Sequence, residues 1–153
     1  MPKSELIPTD AQKKLQWFCI YQERCHHEVW EKLYSLGLSK STSEAVVSYL
    51  IEQDFLNETR FACSFASGKF NQKKWGKNRI LLELKKRNIS DYNCNKALLE
   101  INEADYEKTF SSLFEKRKEM VKHYSVLVQK RKIMDYLLYR GWEKDRIYKA
   151  LNS

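Results

Sequence analysis

A chain of 153 residues with 42% hydrophobic and 13% aromatic content has enough apolar surface for one domain or a short array of helical repeats. Only four glycines and two prolines are present, and Pro2 and Pro8 both fall in the first ten residues, so an all-β fold, which needs turn residues at every corner, is excluded. The excess of 28 Lys and Arg over 20 Asp and Glu, a formal charge of +8, favours an acidic partner such as nucleic acid or an acidic protein face.

In chain order, residues 1–10 read as a flexible leader. Asp10 then caps a helix with Ala11, Leu15, Phe18 and Cys19 at helical spacing. A second helix carries Val29, Trp30, Leu33 and Leu36 and stops at Gly37, which suits a left-handed cap. Ser41 with Glu44 offers a capping box for a third helix through Val46, Val47 and Leu50. The same order returns. Asn57 or Thr59 opens a helix with Phe61, Ala62 and Phe65, and 68–76 reads as a helix end or a loop. Ile80, Leu81 and Leu84 follow on a helix ending near Asn88, and Ser90 with Asp91 caps a short helix containing Cys94, Ala97 and Leu98. A third round begins at Asn102, runs through Tyr106, Phe110 and Phe114, continues with Ile133, Met134 and Leu137 to Gly141, and closes with Ile147, Ala150 and Leu151.

The rounds superpose. Val29, Ile80 and Ile133 share a column, as do Leu33, Leu84 and Leu137, and the stops Gly37, Asn88 and Gly141 recur at 88 − 37 = 51 and 141 − 88 = 53 residues. A three-helix unit used three times accounts for this pattern. The expected fold is therefore all-α, an elongated, curved array of three tandem three-helix repeats at residues 11–55, 56–101 and 102–153. Such an array offers long surfaces rather than a deep pocket, which points to binding and away from catalysis.

Charge is uneven along the chain. Residues 1–60 hold seven bases and nine acids, 61–87 hold eight bases and one acid, and 88–153 hold thirteen bases and ten acids. The candidate binding residues are accordingly Lys69, Lys73, Lys74, Lys77, Arg79, Lys85, Lys86 and Arg87, supported by Lys130, Arg131 and Lys132. Some of that charge merely complements a helix C-terminus, and a solvated lysine face is the plain alternative. Arg24 and Arg60 read as structural, tying helices through carboxylates or carbonyls. Trp30 and Trp142 sit in core columns; Trp75, among lysines and beside Gly76, reads as packed against that glycine, with base stacking as the alternative.

Cys19, Cys25, His26 and His27 match no zinc spacing, and adjacent histidines diverge by about 100° around a helix. No Gly-rich phosphate loop, nucleophile elbow or H-E-x-x-H occurs. The expectation is a non-enzymatic chain with no cofactor and no metal. No apolar run suggests a signal peptide or membrane span, so a cytoplasmic protein with reduced, mostly buried thiols is expected.

Several motifs together resemble the RecX family of recombinase regulators. They are Tyr21-Gln-Glu-Arg24 with Glu28-Val-Trp-Glu-Lys32-Leu33 and Gly37, then Phe55-Leu-Asn-Glu-Thr-Arg-Phe-Ala62. Trp75-Gly76-x-x-Arg79-Ile80-x-x-Glu83-Leu84, Ile101 to Tyr106, and Tyr136-Leu-Leu-Tyr-Arg140-Gly141-Trp142 complete the set. The likeness covers residues 12 to 152; His27 and Trp75 depart from the family's usual small residues. It implies an all-helical protein of the bacterial cytoplasm that binds the RecA recombinase filament on single-stranded DNA and modulates, usually inhibits, its activity in recombination, DNA repair and the SOS response; a monomer is expected. A basic helical module that binds single- or double-stranded DNA without RecA is the competing reading.

Overall fold

The computed structural model describes residues 8–153. Among them are nine helices and no strand: α1 (Pro8–Tyr21), α2 (His26–Ser35), α3 (Lys40–Glu52), α4 (Glu58–Lys73), α5 (Lys77–Lys86), α6 (Asp91–Leu99), α7 (Glu103–Met120), α8 (Val126–Tyr139) and α9 (Lys144–Leu151). Residues 1–7 of the expected leader lie outside the described residues. Pro8, Thr9 and Asp10 form the first turn of α1 rather than a leader and cap, a turn that accepts proline because its first N–H groups have no intrahelical partner.

Local chemistry sets the helix ends. Asn57, Ser90, Asn102 and Ser125 accept from the backbone N–H of Arg60, Asn93, Asp105 and Val128 and open α4, α6, α7 and α8. α3 is capped by Ser39, which accepts from Thr42 N–H at 3.2 Å, so the helix starts two residues before the expected Ser41 box. The stops behave as read. Gly37, Asn88 and Gly141 all have positive φ, at 73°, 58° and 93°. The doubtful 68–76 stretch is helical through Lys73, and Lys74 ends α4 in the left-handed region at φ 59°.

The helices pack in three consecutive triplets, with α1 on α3, α4 on α6, and α8 on α7 and α9. Asn93 Nδ2 donates to Glu58 at 2.6 Å, and Thr59 donates to Asn93 at 2.7 Å, closing α6 onto α4. The apolar columns form the core: Val29, Leu33, Ile80, Leu84 and Leu137 are fully buried and Ile133 nearly so. Burying each such side chain is worth about 1.5–3 kcal/mol. Cys19, Cys25 and Cys94 are buried free thiols, and Cys63 is half-buried.

The core itself is divided unevenly. Ala11, Leu15, Val29, Leu33, Val46 and Leu50 of the first triplet form one cluster, closed by Leu56 from the connection to α4. A second, larger cluster runs through both the second and third triplets and includes Phe70, Ile80, Tyr106, Phe110, Ile133 and Trp142. Trp142 is completely buried, 4.5 Å from the Tyr106 ring and 5.5 Å from the Phe110 ring, and its indole N–H donates to Lys74 O across the boundary. No hydrogen bond or ion pair links α1–α3 with α7–α9 among the described residues, as expected of units that are tied chiefly to their neighbours.

Candidate functional site

The seam between the second and third triplets is a backbone joint. Gly76 N–H donates to Arg140 O at 2.8 Å, and Asn78 N–H donates to Gly141 O at 3.0 Å. Arg140 reaches back to Lys73 O at 2.7 Å, and Arg79 reaches Tyr139 O at 3.3 Å. Beneath them Tyr106 is fully buried. Its hydroxyl accepts from Lys77 N–H at 2.8 Å and donates to the Glu143 carboxylate. Glu143 stands in the column of the capping serines Ser39 and Ser90 but makes no cap bond itself. Burial, then the bond to Glu143, push the Tyr106 hydroxyl far above its usual range.

This seam gathers cations. Arg79 lies 4.3 Å from the Trp75 ring and 4.9 Å from the Tyr139 ring, a double stack that fixes its guanidinium. Arg140 lies 4.9 Å from the Tyr136 ring, with its Nε buried and without a partner. Lys73 and Lys74 are exposed beside it. None of these four cations has a carboxylate partner among the described residues. Arg140 carries no mark in the charge distribution; only its place beside Gly141, in a motif read for its cap, signals it.

The remaining sequence candidates go elsewhere. Lys77 pairs with Glu103 at 3.4 Å and lies 4.6 Å from the Tyr106 ring, so it belongs to the joint. Lys85 pairs with Asp91. Lys86 and Arg87 pair with Glu83 at 3.5 and 3.1 Å, and the Arg87 bond, exceeding the opposing effect of burial, holds the Glu83 carboxyl below the usual range. Lys69 lies 5.1 Å from the Trp75 ring. Together Lys69, Lys86 and Arg87 face Glu23, Glu28 and Glu31 across a groove of about 650 Å³ between the first and second triplets. Lys130, Arg131 and Lys132 are on α8; Lys130 and Arg131 line a separate apolar groove with Leu127, Met134 and Leu151. The eleven residues thus divide among the seam, the groove between the first and second triplets, the Asp91 pairing of Lys85, and α8.

The two joints differ in kind. Arg60 crosses from α4 to Glu23 at 2.7 Å while also holding Asp54 at 3.0 Å and Asp54 O at 2.9 Å. Arg24 donates to Phe18 O at 3.0 Å and to Glu28 at 3.5 Å, and Glu28 in turn accepts from Cys25 N–H at 3.2 Å. Both arginines are structural, as their place in the sequence implies. Among the described residues no group of three or more His, Cys, Asp or Glu could hold a metal ion, and no helix is long and apolar enough to cross a membrane.

The fold and seam define a class, the proteins built of tandem three-helix units joined end to end. Residues 57–98 match the family model for the RecX second three-helix domain. The regulatory protein RecX of Bacillus cytotoxicus is 25% identical over 133 residues, covering 87% of this chain and 49% of the relative. That of Clostridioides difficile is 27% identical, covering 87% and 62%. The crystal structure of RecX from Lactobacillus salivarius is 26% identical with a TM-score of 0.83, covering 95% of this chain and 96% of that one. A second solved structure, of a regulatory protein RecX at 16% identity, shares the fold with a TM-score of 0.83. The chain is thus similar to RecX proteins over most of its length, and it spans about half to under two thirds of the length of these curated relatives.

Proposed function

We propose that this chain binds RecA recombinase filaments and modulates, in the usual case inhibits, their activity in recombination and DNA repair. The observation that carries the reading is the seam: Lys73, Lys74, Arg79 and Arg140 present positive charge without carboxylate partners, on a chain whose relatives are named regulatory proteins. A rigid backbone joint keeps these cations at fixed spacing, which suits the regular negative surface of a nucleoprotein filament. Repeat units at 11–55, 56–101 and 102–153 would lie along the groove as one body, with Lys130 and Arg131 adding charge from α8. The chain acts without turnover, cofactor or metal, as a monomer in the bacterial cytoplasm.

Co-sedimentation with RecA–single-stranded DNA filaments, run beside the same DNA alone, tests the proposal. Pelleting with filaments, lost in a folded Lys73→Glu/Lys74→Glu double variant, is the expected result. Equal pelleting with bare DNA and with filaments would replace it with a DNA-binding module that acts without RecA. Unchanged pelleting of the double variant would remove these lysines from the surface.

A further inference from the structure

The third triplet carries an insertion that the other two lack. From the start of the first helix to the shared core column is 29 − 8 = 21 residues in the first triplet and 80 − 58 = 22 in the second, but 133 − 103 = 30 in the third. The surplus lengthens the α7–α8 hairpin, and α8 has 14 residues where α2 and α5 have 10. Near the hairpin tip Val121 is buried, but Met120, Val126 and Leu127 are 63%, 68% and 81% exposed. Grouped apolar side chains that support no core of their own mark an interaction site.

Leu127 begins a stripe. Met134 and Leu138 follow it on one face of α8 at steps of seven and four residues, a line of about 16 Å beside the core face of Ile133 and Leu137. Met134 is half-buried and Leu138 exposed. Tyr148 and Leu151 of α9 form the opposite wall, and the groove between the two helices has a volume of about 430 Å³. Its charged lining residues are Lys130 and Arg131, with Lys144 Nζ nearby, 5.6 Å from the Tyr148 ring. None of these three cations has a carboxylate partner among the described residues, the exposed Asp135 on the same helix included.

We infer that this groove docks an amphipathic helix of a partner protein, apolar on one face and acidic along its edges. Two helices side by side leave a trough into which a third helix of about three turns fits, its anchors spaced like the stripe on α8. Lys130 and Arg131 on the rim call for carboxylates beside those anchors. An added strand would need a sheet edge, and the described residues contain no strand. A second copy would bring the exposed Trp17, Ile20 and Tyr21 of α1, but Lys14 and Lys32 border that face, so like charges would meet. The inference stands without RecA binding: Lys130 and Arg131, which only add charge to that reading, here flank an apolar groove, and none of the seam cations takes part.

The test uses the full chain, no RecA, and a fluorescein-labelled synthetic helix of about eighteen residues with leucine along one face and glutamate beside it. A sister peptide carries lysine in place of glutamate. Anisotropy should show the acidic peptide binding about tenfold more tightly than the basic one, or better. Leu127→Glu should weaken the acidic peptide by about tenfold or more, as loss of a central anchor does. Arg131→Glu should narrow the preference between the two peptides, a change that general loss of structure would not produce. Trp17→Ala, on the exposed face of α1, should bind as the unaltered chain does. Circular dichroism confirms that the variants keep their helices. The inference is overturned if the acidic peptide does not bind, if both peptides bind alike, or if Leu127→Glu leaves its binding unchanged. It is equally overturned if Leu127→Glu acts instead on self-association in sedimentation velocity or on binding to anionic vesicles.

Discussion

Gly76 and Gly141 touch through their backbones: a Cβ placed on Gly76 would stand 2.4 Å from the carbonyl oxygen of Gly141. Gly76 has an ordinary φ of −77°, so its lack of a side chain answers a neighbour and not a turn. Gly37 is the reverse case, with φ +73° and nothing within 4 Å of a built Cβ. Gly76→Ala is expected to cost about 1–3 kcal/mol or more through overpacking that backbone cannot relieve. Gly37→Ala should cost about 1–2 kcal/mol from the left-handed conformation alone, and Gly37→Asn less. Chemical denaturation of the three variants checks the order, and Gly76→Ala no more harmful than Gly37→Asn would contradict it.

Tyr106 joins two triplets through one oxygen. Tyr106→Phe keeps the ring against Trp142 but leaves Lys77 N–H without its acceptor and Glu143 without its donor. A loss of about 1–3 kcal/mol is expected. Hydrogen exchange should show the Lys77 amide opening faster while amides of α1–α3 are unchanged. Uniform acceleration along the whole chain would mean that the three triplets unfold as one.

Arg60 is the principal tie of the first triplet to the second. Its guanidinium serves Glu23, Asp54 and the carbonyl of Asp54 at once, a planar fork that lysine cannot reproduce. With the side chain about a third exposed, solvent weakens the ionic part. Arg60→Ala is expected to cost about 1–2 kcal/mol, with Arg60→Lys recovering less than half. Full recovery by lysine, measured by thermal melting, would show that charge alone carries the contact.

The thiols should separate by reactivity. Burial pushes Cys19 and Cys25 up to about 11 from 9.0, and it raises Cys63 and Cys94 as well. Alkylation of the folded protein at mild alkaline pH, followed by mass spectrometry, should label Cys63 first, because it alone is only half-buried. Folding favours the protonated form of Cys19 and Cys25. Their contribution to stability is therefore intact below about pH 9 and falls as pH rises toward about 11. Labelling of Cys25 ahead of Cys63 would show that the first joint opens readily.

Lys77 and Lys73 should respond differently to charge reversal. Lys77→Glu sets a carboxylate beside Glu103 and against the Tyr106 ring, so it should destabilise the seam by about 1–2 kcal/mol. Lys73→Glu meets no carboxylate partner and should stay within about 0.5 kcal/mol. Denaturant midpoints measure both, and equal effects would contradict the placement of Lys77 inside the joint.

The amino-acid order alone determined what depends on near neighbours in the chain. Helical periodicity, the stops at Gly37, Asn88 and Gly141, the caps at Asn57 and Ser90, and the recurring apolar columns are all local signals, because capping and amphipathicity act within a turn or two. Family motifs in the same stretches marked the RecX likeness. Tertiary structure alone decided how the triplets meet: Trp142 and Tyr106 fuse the second core to the third, whereas most of the first core forms its own cluster, joined to the second by Cys25 and by the Arg60 tie. It also sorted the cations, sending Lys77 and Arg87 to carboxylates and bringing Arg140 beside Lys73 from 67 residues away. Composition shows where charge lies along the chain, but whether a cation is free depends on which carboxylate packing places within reach.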